Sequence, residues 1–312
     1  MREYNYDVII LGGGPAGFSA GLYCARGTLK TAIIDVSMLG GQPSNYLELE
    51  NYLGFKKIGG YDLTEKFEQH LDMFGADKYP MQEILSVDLV STPKVIKTKE
   101  GLFKSASVII ATGASPMKLG IKGEEEFLGR GVSYCAVCDG SFYQDKVVAV
   151  VGGGNSAVEE AIYLTNFASK VYIIHRRDEL RADKIIQQRA FNNQKIEFVW
   201  DSVAEEIRGE DLVKSILIKN TKTGDISELN IDGVFPYIGI IPNVNYITGQ
   251  LAQDSRGFIQ TDLTMKTSLD GVYAVGDVRN TPLRQVITAV SDGAVAGVYC
   301  AKYVQAQKEV TV

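Results

Sequence analysis

Short apolar runs alternate with helical patterns in the first part of the chain. Residues 6–11 and 31–35 form apolar runs, and the segment 16–26 between them has a helical pattern. Together they predict a strand, a helix and a second strand, which is a βαβ unit with parallel strands. The same order returns at 147–174, so the sequence predicts this unit twice.

The other segments are less regular. We predict a loop at 40–60, helices at 63–74, 184–193 and 284–303, extended segments at 84–90, 94–98 and 108–111, and polar extended segments up to about residue 231. Turn residues break the pattern at 112–116 and again at 239–243. Because the tail beyond the second break has no glycine fingerprint of its own, we expect it to complete an existing domain, so that one domain is inserted into another.

A glycine-rich turn follows the first strand of each βαβ unit. The turns are Gly12-Gly13-Gly14-Pro15-Ala16-Gly17 and Gly152-Gly153-Gly154-Asn155-Ser156-Ala157, at a constant offset of 140 residues. In such a turn the first glycine permits a tight bend, the next lets the backbone approach a pyrophosphate, and the last small residue lets helix and strand pack closely. The sequence therefore predicts two dinucleotide-binding units.

The end of the second strand in each unit indicates which nucleotide it binds. An acidic residue there suits a free adenosine ribose, whereas a 2′-phosphate requires arginine. Asp35 stands there in the first unit, and His175-Arg176-Arg177 in the second, with Arg181 one helical turn further. Because arginine donors match phosphate oxygens, we predict FAD in the first unit and NADPH in the second. The alternatives are that Asp35 only forms a turn and that the arginines only solvate a helix start.

The segment Cys135-Ala136-Val137-Cys138 precedes the second fingerprint. Its spacing lets two thiols form a small disulfide loop, and a flavin can hand an electron pair to a disulfide. We interpret the pair as a redox-active disulfide. A zinc half-site would need two more ligands from Cys24, Cys300, His70 and His175, none of which forms a second close pair. An incidental pair is the third alternative, and no metal site is predicted.

Three other residues near these patterns are assigned from their neighbours. Asp139 follows the cysteine pair and could donate a proton as the disulfide opens, although Asp139-Gly140 is equally typical of a turn. Cys24 and Cys300 fall in the apolar patterns of the first and last helices and are predicted to be core residues.

Composition narrows the class of protein. The 312 residues suffice for two domains, 45% are hydrophobic, and a net charge of −6 argues against nucleic acid as the main ligand. No segment has the form of a signal peptide, and no apolar stretch is long enough to span a bilayer. Four cysteines do not make a disulfide framework. We expect a cytoplasmic protein.

Taken in chain order, these motifs resemble one known family over essentially the whole chain. They are similar to those of the low-molecular-weight, bacterial-type NADPH-dependent thioredoxin reductases. The motifs that carry the resemblance are Gly12 to Gly17, Ala111-Thr112-Gly113-Ala114, Cys135-Ala136-Val137-Cys138-Asp139-Gly140, the second fingerprint continued to Ala161, His175-Arg176-Arg177 with Arg181, and Gly276-Asp277.

The resemblance implies an α/β fold of two Rossmann-like nucleotide-binding domains, each built of three layers in the arrangement ββα. A discontinuous FAD-binding domain (1–115 and 246–312) would enclose an inserted NADPH-binding domain (116–245) that carries the disulfide. The segments 113–116 and 239–242 would act as hinges between two domain orientations. The family forms homodimers through the FAD-binding domains.

The motifs and the resemblance together assign the site residues. The catalytic residues would be Cys138 as the flavin-proximal thiol, Cys135 as the thiol that attacks the partner, and Asp139. The FAD set is Gly12, Gly14, Pro15, Ala16, Gly17, Asp35, Gly41, Gln42, Asn51, Val87, Ala111, Thr112, Gly113, Gly276, Asp277, Arg284, Gln285 and Val286, with Asp277 on the ribityl chain. The NADPH set is Gly152, Gly154, Asn155, Ser156, His175, Arg176, Arg177 and Arg181.

The activity implied is that of a flavoprotein disulfide reductase, in which electrons pass from NADPH through FAD to the Cys135/Cys138 disulfide and on to thioredoxin. One alternative is a paralogue that reduces another dithiol carrier, such as a glutaredoxin-like protein or a peroxiredoxin-reducing module. Others are a relative fed by ferredoxin, against which the arginines argue, and a redox-sensing protein whose flavin reports NADPH without turnover.

Three positions depart from the family pattern. Pro43-Ser44-Asn45-Tyr46 replaces a stretch that is often threonine-rich, and Leu53 stands where a proline is usual. Both are expected near the flavin. Pro236 lies in a strand that is normally apolar.

Overall fold

The computed structural model describes residues 2–45, 49 and 51–310, without the side chains of Val137, Cys138 and Val310. The strands are β1 (Arg2–Leu11), β2 (Thr31–Ile34), β3 (Asp77–Tyr79), β4 (Ile84–Asp88), β5 (Lys94–Thr98), β6 (Gly101–Ile110), β7 (Ala114–Pro116), β8 (Val147–Val151), β9 (Lys170–Ile174), β10 (Ile196–Val199), β11 (Ser202–Gly209), β12 (Val213–Asn220), β13 (Ile226–Asn230), β14 (Gly233–Pro236), β15 (Ile240–Pro242) and β16 (Val272–Ala274). The helices are α1 (Pro15–Arg26), α2 (Gly60–Asp72), α3 (Ala136–Asp139), α4 (Asn155–Leu164), α5 (Lys184–Phe191) and α6 (Val286–Val310). Short 3-10 helices lie at Gln42–Asn45, Gly140–Tyr143, Asn245–Ile247 and Gly276–Val278.

The chain divides into two compact units. Unit 1 comprises Met1–Ser115 and Ile241–Val312, and unit 2 comprises Pro116–Ile240. The two crossing segments, β7 and β15, pair with each other as a two-stranded sheet. The resemblance implied a boundary at 245/246, whereas the two compact units divide at 240/241, within the break at 239–243 that the turn residues indicate.

Unit 1 is built on a sheet of order β3-β2-β1-β6-β5-β4, in which β16 also pairs with β6. Strands β1, β2, β3, β6 and β16 run parallel, and β4 and β5 add antiparallel pairs. Because side chains alternate along a strand, Val8 and Ile10 of β1 pack in the same core as α1 and α6. Ile9 and Leu11 pack on the other face in a second core, which includes Ile96 of β5.

Unit 2 repeats this plan. Its parallel sheet has the order β10-β9-β8-β14, and a separate antiparallel sheet contains β11, β12 and β13. Val148 and Val150 of β8 pack with α4 and α5, while Ala149 and Val151 pack towards the three-stranded sheet. The predicted fold class, α/β with two Rossmann-like units of ββα layers, is confirmed.

Helices α1 and α6 of unit 1 cross in direct backbone contact. A Cβ atom at Gly293 would overlap the carbonyl oxygen of Ala16, and one at Gly297 would overlap the side chain of Tyr23. Only glycine at these two positions of α6 permits so close an approach. The first and last helices of the unit are thus held together along one seam.

Several sequence-based expectations can be compared with these elements. Cys24 and Cys300 are fully buried free thiols in the core of unit 1, as predicted. The last helix begins at Val286 rather than at 284, and Gln285 caps it: the Gln285 carbonyl accepts the N–H of Ala289 (3.0 Å), and the Gln285 N–H donates to Thr288 Oγ1 (3.1 Å). That helix continues to Val310, beyond the predicted end at 303. Within the described residues, no helix is both long enough and apolar enough to cross a membrane.

Candidate functional site

The first glycine turn joins β1 to α1 in unit 1. Gly12 has φ +108°, and a Cβ atom there would overlap the carbonyl oxygen of Ala111, while one at Gly17 would overlap that of Gly12. Both positions therefore require glycine for reasons internal to the protein. Gly14 differs, because its nearest protein atom to such a Cβ is the Cα of Gly41 at 3.7 Å. The protein leaves room above Gly14, where the motif predicts that a pyrophosphate approaches the backbone.

Asp35 holds this turn in place. Its Oδ2 accepts the N–H of Gly13 (2.6 Å), and its Oδ1 accepts both the N–H and the hydroxyl of Ser37 (2.8 Å each). The turn-forming role considered for Asp35 is therefore present, and its contact with a ribose stays a prediction. Burial raises the pKa of Tyr246, and the charge of Asp35 adds to that shift, so an aromatic hydroxyl that the sequence did not single out lies near this carboxylate.

A second turn in unit 1 carries Gly276 and Asp277. Gly276 has φ +72°, and its N–H donates to Oδ2 of Asp292 (3.1 Å). The same oxygen accepts Nη1 of Arg279 (3.1 Å), whose Nε donates to Thr261 Oγ1 (2.7 Å). Because Arg279 and Asp292 are largely buried, this ion pair fixes the backbone turn that presents Asp277.

Arg284 lies close to Asp277 with buried donors. Its guanidinium carbon is 4.2 Å from the ring centroid of Phe258. Nε and Nη2 are buried and have no hydrogen-bond partner among the described residues. Burial lowers the pKa of Arg284, which Asp277 opposes, and burial raises the pKa of Asp277, which Arg284 opposes. Since unsatisfied buried donors are costly, these nitrogens suit an acceptor-rich ligand such as a flavin nucleotide.

Three of the other residues assigned to FAD are tied to neighbours within unit 1. Thr112 Oγ1 donates to the carbonyl oxygen of Asn243 (2.7 Å), whose Nδ2 donates back to the carbonyl of Thr112 (2.9 Å). Asn51 Nδ2 donates to Oε1 of Gln285 (2.8 Å). Asn51 and Gln285, more than 230 residues apart in sequence, are thereby brought together.

The rest of the FAD set lies at helix starts, turns and strands of unit 1. Gln42 Nε2 lies 3.5 Å from the carbonyl oxygen of Ala114. Val87 is a core residue of β4 whose carbonyl accepts Gln250 Nε2 (2.8 Å). Pro15 and Ala16 begin α1, Val286 begins α6, and Gly41 and Gly113 have φ +66°.

The second glycine turn joins β8 to α4 in unit 2 and repeats the first. Gly152 has φ +152°, and a Cβ atom there would overlap the carbonyl oxygen of Tyr237. Gly154 is the N-cap of α4 and has no protein atom within 4 Å of the position a Cβ would occupy. The second turn, like the first, has one glycine required by the protein and one that leaves room for a ligand.

His175 occupies in unit 2 the position of Asp35 in unit 1. It is buried, and its ring packs against the backbone of Gly153, where a Cβ would overlap it. Burial lowers the pKa of His175, and the charges of Arg181, Arg176 and Arg177 lower it further. Its Nε2 is buried without a hydrogen-bond partner among the described residues.

The three arginines lie at the surface beside this turn. Arg176, Arg177 and Arg181 are all exposed, and the backbone N–H of Arg181 donates to the carbonyl oxygen of Gly153 (2.7 Å). All three charges act on His175, which packs against Gly153 before α4, and cations near a helix start suit an anion bound there. Ser156 is also exposed there.

Cys135 of unit 2 is disulfide-bonded. It precedes α3, and its carbonyl oxygen accepts the N–H of Asp139 (3.1 Å) while its own N–H donates to Ser133 Oγ (3.0 Å). The backbone of Cys138 belongs to α3, and its side chain lies outside the described part of the chain. A disulfide at Cys135 favours the redox interpretation over a zinc half-site.

Four residues that sequence reasoning missed support this segment. The hydroxyl of Tyr237 accepts the N–H of Ala136 (2.9 Å). The hydroxyl of Tyr134 donates to Oε1 of Glu124 (2.7 Å), and the buried Glu124 carboxylate also accepts two backbone N–H groups. Ser133 is the fourth. Glu124 is the first of three consecutive glutamates, so the sequence gives no signal that this carboxylate is the buried one.

Two groups in unit 2, near the cysteine-containing redox segment (residues 135–139), have raised pKa values. Burial, followed by the charges of Asp139 and Asp232, raises the pKa of Tyr143 to about 12. On α4, burial raises the pKa of Glu160 to about 7, and the charge of Glu159 contributes. Oε2 of Glu160 is buried without a partner among the described residues.

The departures from the family pattern have different settings. Pro236 ends β14, an edge strand, where a missing N–H is tolerated. Leu53 is 89% exposed. Pro43 is buried in a 3-10 helix, and Tyr46 lies outside the described residues.

Two units, each with a glycine turn shaped for a dinucleotide, and a disulfide in the second define a class of enzyme. The chain belongs to the pyridine nucleotide-disulphide oxidoreductase family, whose sequence model matches residues 6–293. It is 47% identical to the thioredoxin reductase of Peptoclostridium acidaminophilum, over 98% of this chain and 99% of that protein. It is 45% identical to that of Bacillus subtilis, over 99% and 98%.

Solved structures agree with this family. The crystal structure of Lactococcus lactis thioredoxin reductase in its FR conformation is 46% identical, covers 96% of this chain and 99% of its own, and superposes with a TM-score of 0.86. The chain is therefore a flavoprotein disulfide reductase of this family, which uses a flavin and a nicotinamide nucleotide.

Proposed function

We propose that this enzyme takes electrons from NADPH through FAD to a disulfide formed by Cys135 and Cys138, and that it reduces thioredoxin. The observation that carries the proposal is the disulfide at Cys135 in the same unit as a glycine turn beside three exposed arginines. Relatives at 45–47% identity over nearly their full length bear the name thioredoxin reductase. They do not favour the other carriers, ferredoxin or a sensor without turnover.

We assign FAD to unit 1. Gly14 leaves room for a pyrophosphate, and Arg284 offers two buried donors that have no partner among the described residues. Asp277 is held by a fixed turn and would accept hydroxyl donors of the ribityl chain. When bound, the flavin would supply two-electron transfer between a nicotinamide and a disulfide.

We assign NADPH to unit 2. The start of α4 beside Gly154 would hold the pyrophosphate, and Arg176, Arg177 and Arg181 would hold the 2′-phosphate by charge-assisted hydrogen bonds. His175 packs beneath the turn with its ring against Gly153. Its role would be to shape the turn rather than to add a charge, because its environment disfavours the protonated ring.

The reduced cysteine pair would act on the partner by thiol–disulfide exchange. The Cys135 thiolate attacks one sulfur of the partner disulfide, forms a mixed disulfide and releases one partner thiolate. The Cys138 thiolate then attacks the Cys135 sulfur, which restores the disulfide of this chain and releases the second partner thiolate. Each released thiolate takes up a proton, and we assign Asp139 as a donor.

The family relationship supports two further parts of the proposal. We propose a homodimer formed through the FAD-binding units, which size-exclusion chromatography with light scattering would test. A cytoplasmic location is proposed on the same ground.

The test begins with anaerobic NADPH, which should bleach the flavin absorbance of the yellow protein. Oxidised thioredoxin from the same organism should then restore the colour and gain two thiols. If only a glutaredoxin-like protein restores the flavin colour, that protein and not thioredoxin is the partner. Bleaching that no disulfide protein reverses would overturn the proposed function, as would FMN in place of FAD after denaturation.

A further inference from the structure

The arginine loop, residues 176–183 of unit 2, is held at several points. Leu180 and Ala182 are buried, while the side chain of Arg181 between them is exposed. Nε2 of the buried Gln187 donates to the carbonyl oxygens of Leu180 (3.1 Å) and Ala182 (2.7 Å). The backbone N–H of Arg181 donates to Gly153 (2.7 Å). The backbone that carries Arg181 is thus fixed on both sides.

A reciprocal pair closes the end of the arginine loop onto α4. Nδ2 of Asn155 donates to Oδ2 of Asp183 (2.8 Å), and Oδ1 of Asn155 accepts the backbone N–H of Asp183 (2.7 Å). Asp183 stands at the N-cap of α5, but its carboxylate makes no capping bond there. An aspartate at this position would ordinarily bond to its own helix. Here it bonds to Asn155, the residue of the second glycine turn that begins α4.

This pairing changes the role of Asn155. The resemblance assigned Asn155 to nucleotide binding, yet its amide oxygen and nitrogen both bond to Asp183. The side chain therefore links the glycine turn to the arginine loop. The two places that it links are those at which the pyrophosphate and the 2′-phosphate of one nucleotide would bind.

We propose that the Asn155–Asp183 pair positions Arg181 and thereby contributes to the preference for NADPH over NADH. The proposal rests on the assignment of NADPH to unit 2. Fixing the loop in the unliganded protein lowers the entropy lost when a guanidinium binds a phosphate. Asp183 itself is negatively charged and would repel a 2′-phosphate, so its charge alone predicts the opposite effect.

Positioning of Arg181 and charge repulsion by Asp183 predict opposite changes in the KM for NADPH of the Asp183→Ala variant. Both are measured with the flavin-loaded full chain. If the pair positions Arg181, the KM for NADPH should rise roughly three- to tenfold, the range for the one side-chain hydrogen bond that the substitution removes. The KM for NADH should not change, because NADH has no 2′-phosphate. Asp183→Asn should restore the KM for NADPH, since the amide oxygen can accept the same bond. A fall in KM for NADPH, or no change, overturns the proposal.

Two further variants separate positioning from charge and from direct contact. Glu179→Gln, which removes an exposed carboxylate from the same loop, should not raise the KM for NADPH. In an Arg181→Ala background, Asp183→Ala should have no further effect, because the residue it positions is gone. Additive effects of the two substitutions would overturn the proposal.

A failure of the proposed function can be distinguished from a failure of this inference. If the wild-type protein uses NADH as well as NADPH, the assignment of NADPH to unit 2 is wrong. If the wild type prefers NADPH and Asp183→Ala keeps that preference in full, only the positioning role is wrong. Unchanged turnover with NADH in the Asp183 and Glu179 variants is the internal control for folding and flavin content.

Discussion

The hydroxyl of Tyr237 accepts a hydrogen bond from the backbone N–H of Ala136, 2.9 Å away. The carbonyl oxygen of Tyr237 also lies against Gly152, where it excludes any side chain. One residue at the end of β14 therefore contacts both the second glycine turn and the first residue of α3. The conformation of the redox segment and that of the nucleotide turn are linked through it.

Tyr237→Phe should weaken the redox segment specifically. Ala136 is fully buried, so the substitution leaves a buried N–H without this acceptor, at a cost of about 1–3 kcal/mol in the free energy of unfolding. We expect slower reduction of a partner disulfide with unchanged flavin reduction by NADPH, as measured by stopped-flow absorbance. Tyr163→Phe is the matched control, because its hydroxyl has no partner among the described residues. Equal rates for wild type and Tyr237→Phe would contradict this role.

Replacement of Arg176, Arg177 and Arg181 together by alanine should nearly abolish the discrimination between nucleotides. Each charge-assisted hydrogen bond contributes about 1.5–3 kcal/mol, so the wild type should prefer NADPH by at least about two orders of magnitude in kcat/KM. Flavin reduction rates over a range of NADPH and NADH concentrations measure both values. An exposed arginine outside the loop, Arg189, provides a control that should keep the preference. If the triple variant keeps the wild-type ratio of kcat/KM for NADPH to kcat/KM for NADH, the 2′-phosphate binds elsewhere.

The two cysteines should differ in what each can still do alone. Cys138→Ser should leave Cys135 able to form a stable mixed disulfide with a partner that lacks its resolving thiol, visible by non-reducing electrophoresis. Cys135→Ser should form no such adduct but should leave a thiolate at Cys138 that perturbs the flavin absorbance. NADPH should reduce the flavin in both variants. Full disulfide-reductase turnover by either single variant would exclude the dithiol mechanism. A long-wavelength flavin absorbance band that appears only in Cys138→Ser would instead show that Cys135 is the flavin-proximal thiol and Cys138 the thiol that attacks the partner.

Glu160 should make unit 2 less stable as the pH rises. Its pKa is raised to about 7 in the folded protein, mainly by burial, so the folded state binds more protons than the unfolded state between about pH 4.5 and 7. Stability should therefore fall across that window and level off above it. Glu160→Gln should remove the slope and stabilise the protein at pH 8, by on the order of 2 kcal/mol.

Trp200 offers a direct measurement of this effect. It is the only tryptophan in the sequence and stacks on Phe198 in unit 2 at 4.8 Å. Urea unfolding followed by its fluorescence at pH 5 to 8 reports on this unit. Glu159→Gln is the control, because that side chain is exposed and should leave most of the slope. A pH dependence identical in wild type and Glu160→Gln would contradict the raised pKa.

The sequence predicted those features that depend on local chemistry. Gly12 and Gly152 are recognisable because each needs a positive φ and close contact with a backbone carbonyl, which few residue types tolerate. The alternation of apolar runs and helical patterns likewise predicted both parallel sheets. The arginines could be singled out because guanidinium donors match phosphate oxygens; the structure places all three at the surface, and their contact with a phosphate stays a prediction.

Contacts between residues that are far apart in the chain could not be predicted from the sequence. Tyr237 lies 101 residues from the N–H that it accepts, and Glu124 and Tyr134 form a pair only because the backbone turns back on itself. Asn155 is the most instructive case. Its position in the fingerprint predicted a ligand contact, whereas the fold brings Asp183 to it from 28 residues away.

The seam between α1 and α6 bears on how the chain is made. Unit 1 needs chain segments from both sides of unit 2, because Gly293 and Gly297 of α6 pack directly on α1. On the ribosome, all of Pro116–Ile240 is synthesised before α6, so unit 2 can fold while α1 still lacks its partner helix. During that interval the apolar face of α1 is open to chaperones or to wrong contacts. A chain halted before residue 286 should therefore contain a folded unit 2 joined to an unfinished unit 1.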